Sequence, residues 1–202
     1  MPDYEYESKA LKNGYKLICG VDEAGRGPLA GPVCAAAVIL APGTVIEGLD
    51  DSKKLTEKKR ERLYDIIKEK ALSYGIAYGT VEEIESVNIL GATFLAMNRA
   101  IASLETKPDF ALIDGNRAPK GITIPCETVV KGDGKAMSIA AASVLAKVTR
   151  DRLMLEYDKK YPEYNFKKHK GYGTKLHYQM LDQYGPSPVH RMTFLKKWEA
   201  RR

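Results

Sequence analysis

Residues 16–28 read KLICGVDEAGRGP, and this stretch is the most informative part of the sequence. Its first half is an apolar run of strand length that ends at two neighbouring carboxylates, Asp22 and Glu23. A Gly-Arg-Gly turn and a proline follow, and a second apolar run covers residues 33–40. Two apolar runs joined by a glycine-rich turn predict a β-hairpin, with strands over 16–22 and 33–40 and polar chemistry at one end.

The Asp22-Glu23 pair favours a divalent-cation site. Neighbouring residues on a regular strand point to opposite faces, so the two carboxylates serve one site only if the strand ends or bends there. Gly25 and Gly27 permit such a bend because glycine tolerates backbone angles that side chains forbid. Adjacent like charges repel each other, and hard oxygen ligands suit Mg²⁺ or Mn²⁺ rather than Zn²⁺. A solvated acidic turn is the alternative for an Asp-Glu pair taken alone.

The composition is that of an ordinary globular protein. The chain has 202 residues, of which 44% are hydrophobic and 29% are charged. No apolar run approaches the ~20 residues that span a bilayer, and the polar N-terminus is no secretory signal. Three widely spaced cysteines without a Cys-x-x-Cys motif predict small buried hydrophobes in a reducing compartment. We therefore expect a cytoplasmic protein with no membrane partner.

The positive charge is concentrated at the C-terminal end. The formal net charge is +6, and residues 163–202 hold nine Lys and Arg against three acids, so residues 1–162 are net neutral. Such a segment is expected to meet a polyanion. A basic tail that only keeps the protein in solution explains the charge equally well.

The rest of the chain alternates between helical and strand-like patterns after an irregular or short helical lead over residues 1–15. The predicted elements are a helix over 56–73, a strand over 76–81, a helix over 83–104, strands over 110–114 and 122–130, and helices over 136–160, 174–184 and 192–200. A hairpin followed by this alternation predicts the α/β class, with a mixed β-sheet flanked by helices. Pro162 divides a predicted catalytic domain, residues 1–161, from a small basic helical C-terminal extension, residues 162–202.

Two further acids follow predicted strands. Asp114 ends an apolar strand, and Asp133 stands between a strand and a helix that begins with small residues. Sites in α/β sheets gather at strand ends. If Asp114 and Asp133 converge there with Asp22 and Glu23, the four carboxylates make a site for two divalent ions that clamp a phosphoryl group. Taken alone, Asp114-Gly115 is more often a simple turn.

Seven stretches of the sequence match one family in order and approximate spacing. They are Asp22-Glu23-Ala24-Gly25-Arg26-Gly27-Pro28, Asp51-Ser52-Lys53, Ile113-Asp114-Gly115, Lys131-Gly132-Asp133, Ser138-Ile139-Ala140-Ala141-Ala142-Ser143, Ala146-Lys147-Val148 with Arg150-Asp151-Arg152, and Lys170-Gly171-Tyr172-Gly173-Thr174. In these stretches the chain resembles the type 2 ribonucleases H (ribonuclease HII). The resemblance runs from about residue 16 to residue 194 and implies a ribonuclease H-like fold.

The resemblance places the metal-site acids of that family on Asp22, Glu23, Asp114 and Asp133. It implies two bound divalent ions, Mg²⁺ or Mn²⁺. Asp151 is a rival for the fourth place, but the matching motif is Lys-Gly-Asp rather than Arg-Asp. We therefore assign Asp151 to a structural pair with Arg150 or Arg152.

The same resemblance implies a substrate and its contacts. It implies an enzyme that hydrolyses the RNA strand of RNA–DNA hybrids and cuts 5′ of ribonucleotides in duplex DNA, leaving 3′-hydroxyl and 5′-phosphate ends. A monomer is the default expectation, which the sequence does not fix. Gly25, Arg26 and Gly27 correspond to the family's reader of the ribose 2′-hydroxyl, and Tyr172 to the tyrosine that packs on the sugar. The lysines expected to contact phosphate are Lys53, Lys54, Lys147, Lys167, Lys168 and Lys170.

Two alternatives remain at this point: a type 3 ribonuclease H, and a non-catalytic module that binds hybrids. Type 3 enzymes typically carry an additional N-terminal domain, for which residues 1–15 leave no room. The presence of all four acids argues against a module without activity. The three histidines, His169, His177 and His190, lack zinc-site spacing and are expected on the surface or in loops, with His169 as a candidate phosphate contact.

Overall fold

The computed structural model describes residues 1–201 and contains one five-stranded sheet. Its strands are β1 (Ile18–Ala24), β2 (Val33–Leu40), β3 (Ala71–Gly79), β4 (Phe110–Asp114) and β5 (Cys126–Val129). Their order across the sheet is β3-β2-β1-β4-β5. β1, β2 and β3 pair antiparallel, whereas β4 and β5 run parallel to β1. The predicted hairpin and the predicted mixed sheet are both confirmed.

Seven helices surround this sheet within the residues that the structure describes. They are α1 (Glu5–Lys12), α2 (Glu57–Lys70), α3 (Val81–Ala102), α4 (Met137–Lys160), α5 (Phe166–His169), α6 (Lys175–Tyr184) and α7 (Met192–Glu199). α3 covers one face of the sheet, while α2 and α4 cover the other. No helix in this part of the chain is both long and apolar enough to cross a bilayer.

Gly20 in β1 sets how closely the central strand approaches α4. A Cβ at this position would overlap the backbone at Ser138 and Ile139, so only glycine allows the contact. The first turn of α4 has no cap of its own. The buried carboxylate of Glu7 in α1 supplies one, because its Oε1 accepts hydrogen bonds from the Ser138 backbone N–H at 2.9 Å and the Ser138 hydroxyl at 2.7 Å. The N-terminal end of α4 is thereby fixed against the central strand.

Several predicted boundaries differ from the structure. The helix predicted to residue 73 ends at Lys70, and the strand predicted from residue 76 begins at Ala71. The reason is tertiary: residues 71–75 pair with β2, and a register shift at Leu40 accommodates the turn out of α2. The strand predicted over 122–130 shrinks to Cys126–Val129 after Pro125, which lacks an amide donor.

Helix α3 begins at Val81 rather than at residue 83. Thr80 and Glu83 form a capping box, in which the Thr80 hydroxyl accepts from the Glu83 N–H and the Glu83 carboxylate accepts from the Thr80 N–H. Asn88 interrupts the helix with a φ of 62°. The helices predicted over 136–160, 174–184 and 192–200 are confirmed to within one residue at each end.

The C-terminal helices pack on the loop between β1 and β2. An apolar cluster joins them to that loop and to α4. It contains Leu29, Ala30, Met154, Tyr164, Phe166, Leu181, Leu195 and Trp198. The division of the chain at Pro162 into two domains stays a prediction. The last residue of the C-terminal extension, Arg202, lies outside the described residues. Cys19 and Cys34 are buried as expected, whereas Cys126 is only partly buried.

The histidines were expected on the surface or in loops, and the expectation of surface positions is wrong, although His190 does lie in the loop between α6 and α7. His169, His177 and His190 are only 7%, 0% and 3% exposed. The Ser187 N–H donates to His190 Nδ1 at 2.9 Å, the two Nε2 atoms of His190 and His177 lie 2.9 Å apart, and His177 Nδ1 lies 3.0 Å from the Tyr172 carbonyl oxygen. Because an amide only donates and a carbonyl only accepts, both rings are neutral and His190 donates to His177. Internal hydrogen bonds thus replace water and permit burial.

We predict that acid destabilises the fold through these histidines. Burial lowers the pKa of His177 to about 3 and the pKa of His190 to about 4. The unfolded chain binds a proton near pH 6.5, so the free energy of unfolding falls as the pH drops from about 6.5 towards 4, by up to about 1.4 kcal/mol per pH unit for each histidine. Urea unfolding at several pH values measures this slope.

His177→Asn isolates the histidine contribution, because the carboxylates that also titrate in this range are common to both proteins. The variant should lose stability less steeply between pH 6.5 and 4 than the parent. Parallel stability curves for the two proteins would contradict the assignment.

Candidate active site

The acidic site forms where β1 extends past its neighbour β4. Their parallel pairing ends at Val21 and Ile113, whereas β1 continues to pair with β2 as far as Ala24. The sequence predicted that this strand ends at Asp22, but in the structure it continues to Ala24. Asp114, the last residue of β4, instead interacts electrostatically with both Asp22 and Glu23.

Asp22 and Glu23 lie on opposite faces of the strand. Asp22 is 3% exposed and is hydrogen-bonded to Ser143 of α4. Glu23 lies on the α3 side, in a cleft of about 320 Å³ that it shares with Arg26, Asp114 and Arg117. Asp114 thus links the two faces across the end of the sheet.

Asp133 reaches the site through a short 3₁₀ turn over Gly132–Gly134. The Asp114 Oδ1 accepts hydrogen bonds from the Gly132 N–H at 2.6 Å and the Asp133 N–H at 3.4 Å. The carboxylate at the end of β4 therefore fixes the turn that carries the fourth acid. All four acids lie in one region. In space they follow the order Glu23, Asp22, Asp114, Asp133, and each interacts electrostatically with the next.

Lys53 is the cation that lies against Asp133. Its Nζ lies 3.2 Å from Asp133 Oδ2, although its side chain is 77% exposed. The loop that carries it is held by a buried contact of 2.9 Å between the hydroxyls of Ser52 and Ser143. Burial disfavours the charged form of Lys53, but Asp133 and then Asp22 more than offset this and raise the pKa of Lys53.

The carboxylates oppose each other electrostatically. Burial raises the pKa of Asp22 well above its ordinary value, and Glu23 and Asp114 raise it further. Burial also raises the pKa of Glu23 against the opposing effect of Arg26, with Asp114 adding to the rise. The pKa of Asp114 is raised by burial and then by Asp133, against hydrogen bonds from Gly132 and Asp133. Each added negative charge makes the next one costlier in this partly dry setting.

The donor set is that of a hard divalent cation. All of its side-chain oxygens belong to carboxylates, which Mg²⁺ and Mn²⁺ prefer. Among residues 1–201, no three Asp, Glu, His or Cys side chains are grouped so that they hold one ion in the conformation seen here. Mutual repulsion and the contact between Lys53 and Asp133 both act against a tighter grouping.

The Gly-Arg-Gly turn follows directly and lies against Tyr172. Gly25 has a φ of +96°, and a Cβ there would overlap the Arg150 side chain. Arg26 is exposed and places Nη1 3.2 Å from Glu23 Oε1. At Gly27 a Cβ would lie 3.8 Å from the Tyr172 ring, which is ordinary contact. The structure thus brings the turn and Tyr172 together, as a shared ribose contact requires.

Two of the other five lysines named as phosphate contacts, Lys147 and Lys170, lie close to Tyr172 in space or in sequence. The Nζ of Lys147 is 5.9 Å from the centre of the Tyr172 ring and 2.7 Å from Asp151 Oδ1. Lys170 has a left-handed φ of 49°, and its Nζ donates to the Lys167 carbonyl oxygen at 2.8 Å. Their role toward a nucleic acid stays a prediction.

The predicted pairing of Asp151 with Arg150 or Arg152 is wrong. Asp151 pairs with Lys147, and Arg60 lies 3.9 Å away. Residues four apart share a helix face and adjacent residues do not, which explains the partner chosen. Arg152 pairs with Glu61 instead.

Two buried arginines were missed by the sequence reasoning. Arg150 donates to the carbonyl oxygens of Ala30, Pro32 and Lys170 at 3.0–3.1 Å. Arg191 donates to four carbonyl oxygens of the turn between β1 and β2. In the sequence, Arg191 counts only as one charge of the basic C-terminal segment, and nothing in the pattern distinguishes it from a solvated arginine.

Comparison with known proteins agrees with the motifs. The model of the family described as Ribonuclease HII matches residues 19–197. The chain belongs to the ribonuclease HII family. It is 55% identical over 191 residues to the ribonuclease HII of Clostridioides difficile (strain 630), covering 95% of this chain and 74% of that protein. It is 61% identical over 178 residues to the ribonuclease HII of Dechloromonas aromatica (strain RCB), covering 88% and 90%.

Solved structures support the same fold. The ribonuclease H2 of Pyrococcus horikoshii OT3 superposes with a TM-score of 0.77 at 28% identity, covering 92% of this chain and 98% of that one. A ribonuclease HIII structure, Bst-RNase HIII, shares the fold with a TM-score of 0.71 at only 16% identity. The expectation of a type 2 rather than a type 3 enzyme is confirmed. Membership of this family gives the chain ribonuclease H endonuclease activity.

The two glycines of the Gly-Arg-Gly turn should respond differently to replacement by alanine. Gly25→Ala needs both a disfavoured φ and displacement of Arg150, so we expect a loss of about 1–3 kcal/mol or more in the free energy of unfolding. Gly27→Ala meets only ordinary contact, so its free energy of unfolding should stay within about 0.5 kcal/mol of the parent. Urea unfolding of both variants provides the measurement. Equal losses would show that the turn is not constrained as described.

Proposed function

We propose that Asp22, Glu23, Asp114 and Asp133 hold two divalent ions, Mg²⁺ or Mn²⁺, for phosphodiester hydrolysis. The observation that carries the proposal is the position of Asp114, between the Asp22-Glu23 pair of β1 and the turn that holds Asp133. Bound divalent ions supply positive charge that stabilises the attacking and leaving oxygens of a phosphoryl transfer. The Bst-RNase HIII structure with this fold is a complex with Mn²⁺.

The protein side chains orient this site. A shared ion requires the four carboxylates to turn toward one another. Positive charge between them offsets the repulsion that adds to burial in raising the pKa values of Asp22, Glu23 and Asp114. Arg26 and Lys53 lie at the two ends of the acidic group, each against one carboxylate. Both are exposed enough to exchange that carboxylate for a phosphate oxygen of the substrate.

The proposed substrate is a duplex that contains ribonucleotides, cut on their 5′ side to leave 3′-hydroxyl and 5′-phosphate ends. Gly25, Arg26 and Gly27 offer backbone that a sugar can approach closely, and the Tyr172 ring, 42% exposed, forms the opposite wall. A 2′-hydroxyl both donates and accepts hydrogen bonds, so backbone groups here can distinguish RNA from DNA. Lys53, Lys147 and Lys170 supply phosphate contacts that position the duplex.

We also propose that the enzyme acts as a cytoplasmic monomer with residues 1–161 as its catalytic domain. The free cysteines Cys19, Cys34 and Cys126 support a reducing compartment. The C-terminal residues 162–201 then serve as the second wall of the substrate site, because they carry Tyr172.

The test is cleavage of a duplex with a single embedded ribonucleotide, with and without Mg²⁺ or Mn²⁺. The parent should cut once, 5′ of the ribonucleotide, and only with the metal. Asp22→Asn should bind the duplex with unchanged affinity and lose cleavage by about 100-fold or more, because it removes a buried charge from the metal site.

Asp65→Asn is the matched control, since Asp65 is an exposed carboxylate on α2. It should cut like the parent. Full activity of Asp22→Asn, or cleavage without divalent metal, would refute the proposed site. Binding without cleavage by the parent would favour the hybrid-binding alternative.

A further inference from the structure

Arg191 is a fully buried arginine whose side chain donates only to backbone carbonyl groups of the turn beside the acidic site. It immediately precedes α7, and the whole residue is 0% exposed. It donates to the carbonyl oxygens of Gly25 at 2.6 Å, Arg26 at 2.9 Å, Pro28 at 2.8 Å and Gly31 at 2.8 Å. One side chain thus joins both ends and the middle of the turn.

This arrangement is costly for a merely structural contact. Burying a guanidinium without an opposite charge is unfavourable unless its donors are well satisfied. No ion pair within residues 1–201 involves Arg191. Apolar side chains would fill the same space with less electrostatic cost, but they would leave four carbonyl groups unpaired.

Three carbonyl groups of the turn are hydrogen-bonded, whereas two of its amide groups are not within residues 1–201. Arg191 occupies the carbonyl groups of Gly25, Arg26 and Pro28. The backbone N–H groups of Arg26 and Gly27 have no hydrogen-bond acceptor in the described part of the chain. The turn therefore keeps amide donors available, next to the Tyr172 ring, for an oxygen of a bound ligand.

The residue before Arg191 reaches the other side of the same surface. His190 donates through His177 to the Tyr172 carbonyl oxygen, as described above. The backbone continues the connection: the Arg191 N–H donates to the Leu29 carbonyl oxygen at 2.8 Å, and His190 forms a β-bridge with Ala30. The dipeptide His190-Arg191 is thus bonded to both walls.

We propose that Arg191, with His190, is a positioning residue that sets the distance between the Gly25–Gly27 turn and Tyr172, and thereby the preference for an isolated ribonucleotide over a long RNA–DNA hybrid. The inference rests on the proposed function of these two walls. An isolated ribonucleotide offers one 2′-hydroxyl in one register, so its cleavage depends on this distance. A long hybrid offers a 2′-hydroxyl at every register and tolerates a looser fit.

The test compares kcat/KM on two substrates for Arg191→Lys, which keeps the charge but loses the forked donor geometry. We expect kcat/KM on the duplex with one ribonucleotide to fall by about 10- to 100-fold, as for misplacement of a substrate-positioning group, with a much smaller loss on the long hybrid. The readout is the ratio of the two values. A reduced fraction of folded enzyme lowers both values equally and leaves this ratio unchanged.

Arg99→Lys is the matched control. Arg99 on α3 also donates to a backbone carbonyl oxygen, that of Tyr78 at 2.9 Å, and pairs with Glu83, but it makes no hydrogen bond to the turn. Its ratio should equal that of the parent. His190→Asn is a second test variant, because it can still accept from Ser187 but cannot reach His177, and its ratio should also fall.

The outcomes separate this inference from the proposed function. If the parent does not cut at the ribonucleotide, the proposed function fails. If the parent cuts there while Arg191→Lys and His190→Asn keep its ratio within about twofold, the positioning role is overturned. If Arg191→Lys does not fold, His190→Asn alone decides, with a fall in the ratio supporting the role and an unchanged ratio overturning it.

Discussion

Repulsion among four carboxylates at one end of the sheet is the constraint on which the rest of this site depends. Asp22 is buried on the central strand, and Asp114 at the end of the next strand lies within electrostatic reach of it. The fold must hold these charges together against their repulsion, and it does so with rigid elements. Gly20 brings α4 against the central strand, and the Asp114 carboxylate fixes the turn that carries Asp133. Such a site stores unfavourable energy that a bound cation can release.

A second constraint concerns the turn beside the acids. Arg150 packs against Gly25, and Arg191 hydrogen-bonds the carbonyl groups of the turn. Arg191 belongs to the C-terminal segment, which also carries Tyr172. The segment is therefore bonded into the site rather than attached beside it, and its buried histidines extend the same network. The basic charge of this segment and its contribution to the site are separate properties.

The sequence was informative where the determinants are local. The hairpin and the mixed sheet follow from apolar runs and glycines close together in the chain. Asp22 and Asp114 could be named because each ends or follows a recognisable strand. The distance between their carboxylates could not be predicted from the sequence, because it depends on how far β1 extends past β4.

Most of the errors concern contacts between residues that are distant in the chain, whereas the partner of Asp151 and the start of α3 were missed although their determinants are local. The start of β3 at Ala71 depends on pairing with β2, which overrides local helix preference. Burial of His177 depends on partners that only the folded C-terminal segment supplies. Arg191 contacts residues about 160 positions earlier in the chain. Asp151 pairs with Lys147 because the two residues lie on the same face of α4. Each of these follows from simple physics once the partner is known.

The most direct measurement of the central claim is thermal unfolding of the parent and Asp114→Asn in EDTA and in excess Mn²⁺. A cation held by the four acids stabilises the parent by mass action, by about 2.7 kcal/mol at a metal concentration 100 times Kd. The Tm of the parent should therefore rise with Mn²⁺, and the Tm of Asp114→Asn should rise far less, while in EDTA the variant should be at least as stable as the parent. No rise for the parent, or equal rises for both proteins, would contradict a metal site built from these carboxylates.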